Sequence, residues 1–172
     1  AITVAVSYTD GGGTVETKTS AATSSVVNIN DAPTGSVSIS GTATQGQVLT
    51  AVSTLADVDG LGTLAYQWSE GGVAISGATS STLTLGQSQV GKAITVAVSY
   101  TDGGGTVETK TSSATSSVVN INDAPTGSVS ISGTATQGEV LTAVSTLADV
   151  DGLGTLAYQW SEGGVAISGA TS

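Results

Sequence analysis

Residues 1–80 return as residues 93–172, identical at 78 of 80 positions and differing only at Ala21/Ser113 and Gln47/Glu139. An offset of 92 residues, held without a gap, restricts the fold to a unit that can be laid end to end with copies of itself. Ninety-two residues suffice to enclose one hydrophobic core, so each period is expected to be a domain, unlike the short repeats of a solenoid. The chain covers just under two periods and reads as a window on a longer array. Adjacent copies add little to a catalyst but add length and valency to a structural part.

Within a period the apolar residues alternate at period two. Ile94, Val96, Val98 and Tyr100 fall on one side of AITVAVSY and Thr95, Ala97 and Ser99 on the other, the pattern of a half-buried strand. Val37 with Ile39, Leu64 with Tyr66 and Trp68, and Leu83 with Leu85 repeat it. Gly41, Gly46, Asp59-Gly60, Gly71-Gly72 and Asp102-Gly103 punctuate these runs as turns. The spacing predicts strands over 36–41, 47–54, 64–70, 73–76, 81–86, 93–101 and 106–120. Seven short strands in one period give the fold class: all-β, a tandem array of immunoglobulin-like, cadherin-like antiparallel β-sandwiches. Trp68, Tyr66 and Tyr100 are expected in or beside the core, with an exposed aromatic platform for sugar as the alternative.

NINDAPTG, at 28–35 and again at 120–127, carries the only two prolines, Pro33 and Pro125. Proline fixes φ and keeps its predecessor extended, which suits a stiff linker. The boundaries expected are therefore 1–30 for the last strands of one repeat, 31–122 for a complete repeat, and 123–172 for the first strands of the next. The two partial repeats are complementary, lacking between them only the segment matching 81–92. Head-to-tail pairing of one molecule with another is expected to rebuild a sandwich from them.

Composition removes several functions. Cys and His are absent, which excludes thiol and imidazole catalysis and ordinary zinc or haem ligation. Thirteen acidic residues against three Lys, with a formal net charge of −10, repel a phosphate backbone and an anionic membrane surface. No stretch approaches the ~20 apolar residues of a membrane span.

The acidic residues cluster by loop. In a sandwich of this topology Asp57 and Asp59 (LADVDGLG), Asp102 (YTDGGGT) and the linker's Asn30 and Asp31 are expected at one pole. Carboxylates converging there repel one another, and a hard divalent cation relieves them, since Ca2+ takes six to eight oxygen ligands. The expected metal set is Asn30, Asp31, Asp57, Asp59 and Asp102 at one junction. At the next it is Asn122, Asp123, Asp149 and Asp151, with Asp10 of a neighbouring molecule in the place of Asp102. The EF-hand pattern fails, because its first and twelfth positions would be Leu55 and Tyr66. YTDGGGT likewise lacks the second Asp of the calcium-binding nonapeptide of β-helices. Glu70 is expected at a solvated strand end, and Glu108 with Lys110 as an exposed pair of small worth. Glycoside hydrolysis by paired carboxylates needs a cleft that a sandwich of this size does not provide, so no catalytic residue is assigned.

NINDAP resembles the inter-domain linker of cadherins, and DVDG their calcium-binding Asp-x-Asp element. The whole period, with GTATQGQVLTA, LADVDGLG, YQW, VGKAITV and SYTDGGGT, is similar to the extender repeats of large bacterial RTX adhesins. The linker departs from the cadherin pattern in placing Asn28 where Asp is usual. The resemblance implies a secreted protein at the bacterial surface, in which this segment is a calcium-rigidified spacer that holds a distal adhesive region away from the cell, in adhesion or biofilm formation. The partners implied are adjacent repeats of the same protein. A glycan-binding or homotypic adhesion module is the alternative.

Overall fold

The computed structural model describes residues 1–171. The chain is all-β, with antiparallel sheets and no α-helix among the described residues. It begins with a hairpin of β1 (Ala5–Thr9) and β2 (Val15–Thr19). Seven strands follow: β3 (Val37–Ser40), β4 (Val48–Ser53), β5 (Ala65–Glu70), β6 (Val73–Ala74), β7 (Thr82–Thr84), β8 (Ile94–Thr101) and β9 (Val107–Thr111). A single 3-10 turn over Gln87–Gln89 separates β7 from β8. The chain closes with β10 (Val129–Ser132), β11 (Thr142–Ser145), β12 (Ser161–Glu162) and β13 (Val165–Ala166).

Strands β3-β4-β7 form one sheet and β6-β5-β8-β9 another. Their inner faces meet in one core: Val37 and Leu49 from the first sheet, Trp68, Ile94, Val96, Val98 and Tyr100 from the second, with Leu55, Leu85 and Val118 closing the ends. Strict alternation builds this arrangement, since β8 buries Ile94, Val96, Val98 and Tyr100 while the residues between them stay partly exposed. Trp68 is fully buried, and its indole N–H donates to the Ser80 carbonyl at 2.8 Å, which satisfies its one polar atom in the core. The expected packing role of Trp68 and Tyr100 holds.

The last expected strand, 106–120, is much shorter. Regular pairing stops at Thr111 because hydroxyls intrude on the ladder: Ser112 Oγ accepts from Val96 N at 3.1 Å and Thr115 Oγ1 from Ile94 N at 3.0 Å. The chain then leaves β8 and runs parallel to two other segments, with bridges from Val118 to Val90 and from Val119 to Thr44.

Hairpin β1-β2 repeats β8-β9 in sequence and register, and β10 to β13 repeat β3 to β6. Of these copies, β11 and β12 are shorter than β4 and β5. β11 starts at Thr142, whereas β4 starts at Val48, the counterpart of Val140, because Val48 and Leu49 pair with β7 and residues 140–141 have no such neighbour among the described residues. β12 keeps only the two residues that pair with β13, whereas all six residues of β5 pair with β8.

Candidate functional site: the linker and the acidic pole

Asp57 and Asp59 lie in the turn after β4, where Asp57 Oδ1 accepts from Asp59 N at 2.9 Å. This local bond fixes the Asp57 side chain relative to the backbone of the turn. The β8-β9 turn comes alongside, with Gly103 N donating to the Asp59 carbonyl at 3.0 Å. That approach leaves no room for a side chain: a Cβ at Gly103 would stand 2.4 Å from Asp59 O, and one at Gly62 2.0 Å from Thr101 O. Two glycines thus bring two acidic loops together.

The linker preceding β3 is tied to these loops by hydrogen bonds. Asn28 Nδ2 donates to Asp59 Oδ1 at 2.8 Å and Asp31 N donates to Asp59 Oδ2 at 2.7 Å, so one carboxylate grips the linker at two points. Asn30 Nδ2 donates to Glu108 Oε1 on β9 at 2.8 Å. Asp57 Oδ2 accepts from the Tyr100 hydroxyl at 2.5 Å. Burial, the Asp57 bond and the surrounding carboxylates hold that hydroxyl's pKa well above the ordinary phenol value.

Asp102 differs from its neighbours. Its Oδ1 accepts from Thr106 N at 2.7 Å, closing its own turn. Its Oδ2 is buried with no hydrogen-bond partner among the described residues, in a residue only 6% exposed. A buried carboxylate oxygen without a donor or counter-ion is costly. A side chain added at Gly104 would lie 3.3 Å from Asp102 Oδ1 and 3.6 Å from Asn28 Nδ2, so the linker amide and this carboxylate both border the turn at Gly104.

The second junction repeats the first. Asn120 Nδ2 and Asp123 N donate to the two oxygens of Asp151 at 2.9 and 2.8 Å, and Asp149 Oδ1 accepts from Asp151 N at 2.8 Å. The bonds from Asp123 N and Asn120, with a further one from Gln87, hold the Asp151 carboxyl below the usual range. Gln45, in the loop between β3 and β4, also reaches across: its Nε2 donates to Asp123 Oδ2 at 2.9 Å and its Oε1 accepts from Ile121 N at 3.0 Å. Asn122 Nδ2 turns to the Asp123 carbonyl at 3.0 Å.

Asp31, Asp57, Asp59 and Asp102 thus come from the linker and two loops that touch. Among the described residues, however, no three carboxylates are drawn together into a ready-made metal cluster; Asp57 and Asp59 are occupied by hydroxyl, amide and backbone donors. Asp10 closes its own turn, accepting from Gly12 N at 2.9 Å and Thr14 N at 2.8 Å. Asn28, Asn120, Glu108 and Gln45 were not among the expected site residues. The repeat of Asn28 as Asn120 within NINDAP was the available signal for those two. Glu70 also departs from the solvated end expected for it: it pairs with Lys92 and accepts from Gln89 Nε2 at 2.7 Å. Comparison with protein-family models, curated proteins and solved structures gave no match to this chain.

Proposed function

We propose that the chain is a calcium-stabilised structural extender: immunoglobulin-like sandwiches repeating every 92 residues, serving as a spacer rod in a bacterial surface adhesin that projects a distal ligand-binding region. The reading is supported by the repeat itself, the all-β fold and the linker fastened to an acidic pole. The observation that carries it is the buried, unpartnered Oδ2 of Asp102 beside the Asp57–Asp59 turn. A bound cation would complete that oxygen's coordination, and the donor set is hard oxygen throughout, which suits Ca2+. Asp102, Asp59, Asp57 and Asp31 would supply carboxylate oxygens, while Asn28 and Asn30 offer amide oxygens on rotation of their side chains. At the second junction Asp123, Asp149 and Asp151 hold the equivalent places, with Asn122 adding an amide.

A unit of this size with its linker spans roughly 30–40 Å, and each added copy brings its own joint. The glycan-binding alternative draws no support from the aromatics of residues 31–122, since Trp68 and Tyr100 are buried and Tyr66 is partly covered.

Thermal unfolding with calcium and with a chelator tests the reading. Extracellular calcium modules bind with Kd of about 10^-4 to 10^-3 M, so 5 mM Ca2+ is expected to add about 1–2 kcal/mol and raise Tm by roughly 5–15 °C. Asp59→Asn with Asp102→Asn should abolish the shift. An identical melt in calcium, magnesium and chelator would overturn the proposal.

A further inference from the structure

Residues 118–121 leave the sandwich of residues 31–122 as a segment gripped on both edges. Val118 N donates to Lys92 O and its carbonyl accepts from Gly91 N, both at 2.9 Å, whereas Val119 N donates to Ala43 O and its carbonyl accepts from Gln45 N, also at 2.9 Å. Successive residues thus face opposite neighbours, in parallel register with Val90 and Thr44. On the Thr44 side the next donor in the ladder is Ile121 N, two residues on. It donates to Gln45 Oε1 at 3.0 Å, so a side-chain amide stands in for one more backbone rung.

The other end of that amide reaches the first residue of the following unit. Gln45 Nε2 donates to Asp123 Oδ2 at 2.9 Å, while Asp123 N and Asn120 Nδ2 donate to the two oxygens of Asp151 at 2.8 and 2.9 Å. Asp123 is therefore shared, its carboxylate held from upstream and its N–H from downstream. Gln45 and Asp123 are both partly buried, which shields a charge-assisted bond from water and salt. Only a neutral amide serves both contacts, since Glu has no donor for the carboxylate and Lys no acceptor for the Ile121 N–H. From 118 to 123 the bonds pass from one unit to the next without leaving a run of free backbone to act as a hinge.

We propose that Gln45 is a latch that recognises the Asp123 carboxylate of the following unit and fixes the angle between the two units without a metal ion. The inference rests on residues 31–122 and those from 123 onward being successive repeats, as in the proposed function, but not on calcium. TATQG and NIND each occur in both copies of the period, so every unit carries both halves of the latch.

Because the chain has no Cys, spin labels at the exposed positions Thr82→Cys on β7 and Ser132→Cys on β10 report the distance between units by pulsed electron resonance. The measurement is made on the full chain in chelator. The unmodified joint should give one narrow distance distribution. Gln45→Glu sets two carboxylates against each other and removes the donor, and is expected to widen the distribution about twofold. Adding Asp123→Asn to Gln45→Glu exchanges donor and acceptor, and should return the width nearly to that of the unmodified chain. The melt of residues 31–122 serves as the folding control. A distribution that is broad in chelator and narrows only with Ca2+ would overturn the latch while leaving the calcium reading standing. An unchanged width in Gln45→Glu, or no recovery in the exchanged pair, would overturn it as well. Loss of the calcium-dependent melt shift alone would sink the calcium reading and leave the latch intact.

Discussion

Several single residues have two environments in this molecule, and the differences isolate what each side chain does. Tyr8 donates its hydroxyl to Glu16 across the first hairpin at 2.5 Å. Its copy Tyr100 turns instead to Asp57, which frees Glu108, the copy of Glu16, to accept from Asn30. The exchange is legible only in three dimensions, because Asn30 and Glu108 are 78 residues apart. Asp59 and Asp102 are recognisable from sequence since each precedes a turn glycine, and Asp57 by its Asp-x-Asp spacing from Asp59, both local signals; Gln45 carries none. Glu70 offers a test at this scale. Hydrogen bonds from Lys92 and Gln89 hold its carboxyl below the usual glutamate range. The folded value lies under the unfolded one, so the pair's stabilisation is complete above pH 4.5 and disappears as pH falls through the lowered value. Lys92 is partly exposed, which limits the gain to less than about 1 kcal/mol. Lys92→Met is thus expected to lower stability by that amount at pH 7 and to leave it unchanged at pH 2, measured by urea denaturation at both.

Strands show how far pattern and pairing each reach. Six of the seven strands expected over 36–101 and beyond lie where alternation and glycine punctuation place them, within one or two residues at nearly every boundary. The exception, over 106–120, carries the same alternation of types but ends at Thr111, since Ser112 and Thr115 offer hydroxyls to the β8 backbone. Alternation does not encode that competition. Neither does it encode whether a partner strand is present: residues 48–53 and 140–145 have the same sequence, yet Leu49, which pairs with Leu83 of β7, is fully buried and its copy Leu141, just before β11, is 37% exposed. Leu49→Ala is expected to cost about 3 kcal/mol through lost burial and the cavity left behind. Leu141→Ala should cost less than about 1 kcal/mol. Chemical denaturation followed by far-UV circular dichroism distinguishes them, and equal costs would show that the two strands pack alike.

Across the whole molecule, the two NINDAP segments are held by side-chain amides meeting carboxylates. Asn28 and Asn30 serve the first junction and Asn120 and Gln45 the second, and both linkers end on the second Asp of a DVDG turn. Gln45 is the only one of these on the upstream side, so it couples the linker to the unit that precedes it. Gln45→Ala is expected to speed amide exchange at Ile121 by about tenfold, while the melt of residues 31–122 stays nearly unchanged. Unaltered exchange at Ile121 would mean that the linker is held by Asp151 alone.

The amino-acid sequence by itself determined where strands and turns begin, which side of each strand is apolar, the 92-residue period and the set of acidic turns. All of these are read from neighbours a few residues apart, by period-two alternation and by glycine and proline. Tertiary structure alone decided which copy of an identical residue is buried, where the last strand stops, which donor reaches which carboxylate, and that one oxygen of Asp102 is sealed without a partner. The physical reason is that burial and pairing belong to segments distant in sequence. Residues alike at 78 of 80 positions therefore end in different environments when the partner strand is present for one copy and not for the other.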